Sequence, residues 1–221
     1  MFDEANGRFN AGTVPLGTTG PGIDASGVPL GTEVINQFDF LDSNTFATLA
    51  LAAWPEYRDR IDWRRPIDYA DRVFAQEIQA NNRTFYGHSL VVEPVPDKDR
   101  TTPSPDGIAW EFTGQVVAAM NWVDRLYGAS HFVQPADFYT KQLALARTSA
   151  PFADERGLVA ATLDGENETV SPYDPVDQCL TTPYQCIAER VGLAATNWAI
   201  FAEQNSNLFT PEMPLPMSNG P

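Results

Sequence analysis

The chain has few of the residues that most catalytic motifs use. It contains two cysteines, two histidines (His88 and His131) and only two lysines (Lys98 and Lys141). A Ser-His-Asp site would have to use one of these histidines, and the sequence lacks the Gly-x-Ser-x-Gly elbow that often carries such a serine. A zinc centre needs more histidine or cysteine than the chain supplies. The sequence therefore predicts neither a metal nor a cofactor.

Positive charge is also scarce, since the chain has 29 acidic residues and only 14 basic ones, which gives a formal net charge of −15. Such a field repels nucleic acid and anionic membranes, which excludes both as partners. No apolar run is long enough to cross a bilayer, and the N-terminus has no basic and apolar segments of a signal peptide. A neutral ligand such as a glycan meets no electrostatic penalty.

The two cysteines, Cys179 and Cys186, flank six residues of a polar, proline-containing stretch. Without the C-x-x-C spacing or further ligands, the pattern favours a structural disulfide that closes a small loop over a redox pair or half a metal site. A disulfide would indicate an exported protein, either secreted or periplasmic.

Apolar periodicity predicts an all-α protein with five helices. With 43% hydrophobic residues the chain can bury a core, and we expect a single domain over residues 1–221, with a loop-rich segment at 1–37 and a tail at 211–221. The predicted helices cover about 42–54, 66–78, 106–127 and 135–149, with a last helix that starts at a capping box near Thr182. Gly128 is expected to end the third helix, and a short strand-like run is expected within 83–94.

Several short stretches resemble the six-hairpin glycosidase-like proteins. The stretches are GRFNAGT at 7–13, LDSNTFA at 41–47, WEFTGQ at 110–115 and ERVGLAATNW at 189–198. The resemblance implies an (α/α) toroid built of helical hairpins, with its sugar cleft at the helix entrances. Because a full toroid needs about a dozen helices, it also implies a partial toroid with long loops, as a C-terminal half or a truncated relative. Such a chain would form a homo-oligomer or pair with a missing N-terminal half.

Two acidic residues at predicted helix entrances are the candidate catalytic pair. Glu111 lies between Trp110 and Phe112, whose rings would raise its pKa as in a general acid, and Asp42 would serve as base or nucleophile. The two carboxyl groups would have to lie about 5 Å or about 6.5–9.5 Å apart. The alternatives are a carboxylate favoured by the helix dipole for Glu111 and a simple N-cap for Asp42.

Four further residues are candidates for substrate binding: Trp110 and Trp63 as stacking platforms, with Asp39 and Gln115 as polar contacts. Aromatic residues at helical spacing are more often part of a core. The sequence thus predicts a glycoside hydrolase that acts on a neutral glycan. A non-catalytic helical interaction or structural domain is the main alternative, and a hydrolase using Asp, Ser and His is a third.

Overall fold

The computed structural model describes residues 2–15, 33–36, 39–90, 107–165, 179–181, 186–188 and 191–209. Within these residues the helices are α1 Leu41–Leu51, α2 Pro55–Arg58, α3 Arg64–Phe74, α4 Trp110–Tyr127, α5 Val133–Ser149 and α6 Leu193–Glu203. The strands are β1 Phe2–Asp3, β2 Arg8–Phe9, β3 Thr13–Pro15, β4 Glu33–Ile35, β5 Ala75–Ala80, β6 Arg83–His88, β7 Gly107–Ala109, β8 Ala161–Leu163, β9 Cys179–Thr181 and β10 Cys186–Ala188.

The all-α prediction is wrong, because the described residues mix helices with small antiparallel ladders. The strands pair as β1–β2, β3–β4, β5–β6, β7–β8 and β9–β10. Most of these strands are two or three residues long, too short for an alternating apolar pattern to stand out. The segment expected to be loop at 1–37 contains four of them, and the described structure is therefore not a stack of helical hairpins.

The hairpin of β5 and β6 replaces the end of the second predicted helix. Helix α3 ends at Phe74, and the next residues pair with β6 in a register that sets Ala80 opposite Arg83. The connecting residues Asn81 and Asn82 both have positive φ, the conformation of a two-residue hairpin turn that asparagine tolerates. Ile78 is buried as expected, but from a strand.

The last helix begins later than the sequence predicts. Helix α6 starts at Leu193 after an extended Gly192, and the preceding described residues pair in β10 with β9 or bridge to Val159. Interstrand hydrogen bonds thus override the helical pattern there. The capping box at 182–185, the expected N-cap Asp106 and the tail at 211–221 lie outside the described residues.

Helix α4 is the centre of the described core. It contacts α1, α3, α5 and α6, and every residue from 112 to 120 is buried. A helix buried on all sides must be apolar all round, which the sequence of this stretch satisfies apart from Thr113 and Gln115. Its end is as predicted, because Gly128 adopts the left-handed conformation of a C-cap with a φ of 58°.

Gly114 allows α4 and α6 to approach closely. A Cβ atom built on Gly114 would lie 2.8 Å from Cβ and 2.9 Å from the backbone carbonyl carbon of Trp198. Trp198 is itself buried, so it has little room to move away. The close contact fixes α6 against the half of α4 that carries Glu111.

We expect Gly114→Ala to destabilise the fold by about 1–3 kcal/mol, the usual cost of overpacking a rigid contact. Denaturant unfolding of the variant and the wild type measures this difference. Helix propensity alone predicts the opposite sign, a gain of roughly 0.5–1 kcal/mol when alanine replaces a glycine inside a helix. A more stable variant would therefore show that α4 and α6 are not packed as described.

Candidate active site

The two candidate carboxylates occupy equivalent positions on neighbouring helices. Asp42 is the second residue of α1 and Glu111 is the second residue of α4. The residues before these helices, Phe40 and Ala109, have no side-chain cap, so Asp42 is not the N-cap that one interpretation of the sequence proposed. Both carboxylates lie in a first turn, where the helix dipole favours negative charge.

A buried hydrogen bond ties the two entrances together. The Thr45 hydroxyl of α1 donates to Gln115 Oε1 of α4 over 2.9 Å, and both side chains are fully buried. Gln115 Nε2 then donates to Glu111 Oε1 over 3.4 Å. Gln115 therefore lies on the core side of Glu111, with both its amide oxygen and its amide nitrogen hydrogen-bonded. It does not lie on a surface that a substrate can reach.

Burial raises the pKa of both carboxyl groups, and the pair is electrically coupled. For Glu111 burial is the largest cause, the Gln115 hydrogen bond acts against it, and the negative charge of Asp42 raises the pKa further. For Asp42 burial raises the pKa, while backbone N–H groups of Ser43 and of Asp42 itself lower it. The charge on Asp42, where that group is ionised, adds to the rise in the pKa of Glu111, so the arrangement disfavours ionisation of both carboxyl groups together.

Asp39 stands at the same entrance, but its carboxylate is already engaged. It forms an ion pair with Arg8 and accepts a hydrogen bond from the Tyr69 hydroxyl over 2.6 Å. Arg8 in turn lies 3.6 Å from Asp3 and faces the Tyr69 ring. As a substrate contact, Asp39 would have to share its oxygens with these partners.

The N-terminal hairpin of β1 and β2 brings Arg8 to this entrance. The Phe9 N–H donates to Asn44 Oδ1 over 2.8 Å, and Asn44 Nδ2 donates to the Phe40 carbonyl over 3.3 Å. The first bond anchors the hairpin to the first turn of α1, and the second holds the Asn44 side chain in place. The stretch GRFNAGT thus contributes a wall at the helix entrance.

The two tryptophans predicted as stacking platforms lie in the core, since Trp63 and Trp110 are each 0% exposed. Trp110 Nε1 donates to Thr162 Oγ1 of β8 over 2.8 Å, and the Trp63 ring stacks on Phe9. Polar neighbours in the sequence suggested exposure, but a strand and a hairpin from distant parts of the chain cover both rings. Trp54 is 53% exposed, yet it follows the C-terminal end of α1, about 16 Å of helix from Asp42.

A buried polar cluster around His88 was missed by the sequence analysis, which treated His88 and Ser89 as incidental. His88 Nε2 lies 3.1 Å from Asp71 Oδ1, its ring packs on Tyr139, and its backbone N–H donates to Thr113 Oγ1. Burial lowers the pKa of His88 although Asp71 acts against this, so the neutral imidazole is favoured. The only sequence signal was a histidine at the end of an alternating strand.

His88 does not complete a hydrolytic triad among the described residues. Its Nδ1 atom is buried with no hydrogen-bond partner, and no bond joins it to the Ser89 hydroxyl. The ring is 0% exposed, so a substrate has no access to it. The arrangement therefore does not favour the Asp, Ser and His hydrolase.

No group of three potential metal ligands occurs among the described side chains, which do not include those of Cys179 and Cys186. The backbone ladder sets Cys179 opposite Ala188 and Cys186 opposite Thr181. The disulfide stays a prediction. Of the helices in the described ranges, none combines the length and hydropathy of a bilayer crossing.

Comparison of the chain with protein-family models, curated proteins and solved structures gives no match. The resemblance to six-hairpin glycosidase-like proteins consequently rests on the short sequence stretches alone. The chemistry has to be argued from the carboxylate pair.

Glu111→Gln should stabilise the protein at neutral pH and leave its stability unchanged near pH 4. When folding raises the pKa of a carboxyl group, its contribution to the free energy of unfolding is fully present below the unfolded pKa. That contribution is lost as the pH rises through the pKa of the folded state. Glutamine keeps the shape and cannot ionise, so the difference in melting temperature between variant and wild type should grow with pH. Melting curves from pH 4 to 7 measure it.

Asp62→Asn is the control of opposite sign. The hydrogen bond from Arg64 lowers the pKa of Asp62, so its contribution is present above its unfolded pKa and is lost on acidification. This variant should be less stable than the wild type at pH 7, with the difference shrinking as pH falls. If Glu111→Gln follows the same sign as Asp62→Asn, Glu111 is not a carboxyl destabilised by burial.

Proposed function

We propose that this chain is a glycoside hydrolase that acts on a neutral glycan, with Glu111 as general acid and Asp42 as base or nucleophile. The observation that carries the proposal is the coupled carboxylate pair at two adjoining helix entrances. Glycoside hydrolysis needs one protonated and one ionised carboxyl group, and the raised pKa of Glu111 favours its role as the protonated one. No cofactor or metal is required for this reaction.

The charges around the site support a neutral substrate. Arg8, which the β1–β2 hairpin places at the α1 entrance, is already paired with Asp39 and lies beside Asp3. The charge of Arg8 is thus offset by two acids and is not available to an anionic sugar, which the net charge of −15 would also repel. Secretion or a periplasmic location belongs to the same proposal, since polymeric glycans are met outside the cell.

Hydrolysis of a panel of neutral oligosaccharides by the wild type, Glu111→Gln and Asp42→Asn tests the proposal. We expect each variant to lose about 10²–10⁴-fold in kcat/KM, the usual contribution of a positioned acid or base. Glu56→Gln, a change at an exposed carboxylate of α2, should retain wild-type activity. Turnover that survives in both site variants would refute the assignment.

The anomer formed first separates the two roles left open for Asp42. Proton NMR of the initial product reports retention if Asp42 is a nucleophile and inversion if it activates water. Retention requires the carboxyl groups to lie about 5 Å apart and inversion about 6.5–9.5 Å apart, so the outcome also reports the distance between Asp42 and Glu111.

A non-catalytic interaction domain is the second candidate, and the surface of α6 favours it. Leu193 is 79% exposed and Ile200 is 41% exposed on this helix, with exposed Leu208 and Phe209 following it. Clustered exposed apolar side chains often mark a contact with another protein, a second copy or a missing N-terminal half included. A folded sample that hydrolyses no member of the panel would favour this candidate.

A further inference from the structure

Two hydrogen bonds link Thr45 to Gln115 and Gln115 to Glu111, and we call this chain of three side chains the relay. In each bond the donor is the residue farther from Glu111. Thr45 Oγ1 can donate a single proton, and its 2.9 Å contact with Gln115 Oε1 is much shorter than its 3.5 Å contact with the Asp42 carbonyl. That bond fixes the Gln115 carbonyl oxygen toward α1. The amide nitrogen must then face Glu111, where it donates to Oε1.

The two relay residues that precede Glu111, Thr45 and Gln115, are enclosed by the core. Thr45 and Gln115 are each 0% exposed, although the sequence suggested Gln115 as a substrate contact. A buried amide without hydrogen-bond partners would destabilise the fold. The side chain is therefore held in one orientation by the need to satisfy both of its ends.

We propose that Thr45 and Gln115 are positioning residues that hold the Glu111 carboxyl in place at the α4 entrance and couple it to α1, which carries Asp42. This rests on the proposed function for its consequence in catalysis. The relay itself is a property of the free protein, since it involves only side chains of the chain.

The relay has a chemical consequence as well as a geometric one. The Gln115 amide hydrogen bond favours the ionised form of Glu111, and it opposes both burial and the charge on Asp42. Gln115 therefore limits how strongly Glu111 retains its proton. Without the amide, Glu111 would keep the proton to higher pH and its carboxyl would be free to rotate.

Titration of ¹³C-labelled glutamate carboxyls by NMR, in the absence of any substrate, tests the relay. Gln115→Met keeps an unbranched side chain of similar length but removes the amide, and it should move the Glu111 titration midpoint upward. Thr45→Val keeps the shape of threonine but removes the hydroxyl that orients the amide, so its midpoint should move in the same direction by a smaller amount. Thr45→Ser keeps the hydroxyl and should titrate as the wild type does.

Two outcomes overturn the proposal: an unmoved Glu111 midpoint in folded Gln115→Met, or indistinguishable midpoints in Thr45→Val and Thr45→Ser. If Gln115→Met does not fold, the threonine pair decides alone. With an active enzyme, Gln115→Met should lower kcat by about 10–100-fold at little change in KM, and the alkaline limb of its pH profile, which reports loss of the Glu111 proton, should move upward.

The titration also separates this proposal from the proposed function. Shifted midpoints in a protein that hydrolyses no glycan would refute the hydrolase and leave the relay standing. Glycan turnover with unshifted midpoints and an unchanged pH profile in Gln115→Met would refute the relay and leave the hydrolase standing.

Discussion

The burial of α4 on all sides is the constraint on which the described structure depends. A helix surrounded by α1, α3, α5 and α6 loses stability for each buried polar group that has no partner. Thr113 avoids this loss by accepting the backbone N–H of His88, and Gln115 by bonding Thr45 and Glu111. The requirement that buried polar groups be hydrogen-bonded thus also determines how the Glu111 carboxyl is held. Gly114 sets the distance at which α6 packs against α4.

The two candidate carboxyl groups occupy similar positions but have different neighbours. Asp42 and Glu111 occupy the same helix position and both are half-buried, so burial alone would raise both pKa values. Their neighbours differ, because backbone N–H groups oppose the rise at Asp42, whereas the Gln115 amide opposes it at Glu111 and the Asp42 charge adds to it there. The ion pair of Arg8 and Asp39 lies at the same entrance and neutralises a third acid that would otherwise add to the field.

The sequence predicted features governed by local chemistry and missed those governed by distant contacts. The start of α1, the extent of α5 and the cap at Gly128 follow from periodicity and glycine geometry, and the structure has them close to where they were expected. The pairing of β7 with β8 brings together segments more than fifty residues apart, and no local pattern reports it. That pairing places Thr162 over Trp110, which is why a tryptophan with polar neighbours is buried. The sequence was sufficient to place Asp42 and Glu111 near the starts of two helices. The contacts of Gln115 could not be predicted, because they depend on which side chains share its buried environment.

The coupling of Asp42 to Glu111 is the central claim, and one titration tests it most directly. We would measure the Glu111 carboxyl midpoint by ¹³C NMR in the wild type and in Asp42→Asn. If the two groups form a pair, removal of the Asp42 charge lowers the pKa of Glu111 toward its ordinary value. An unchanged midpoint in a folded variant would contradict the account, because the two carboxyl groups would then titrate independently.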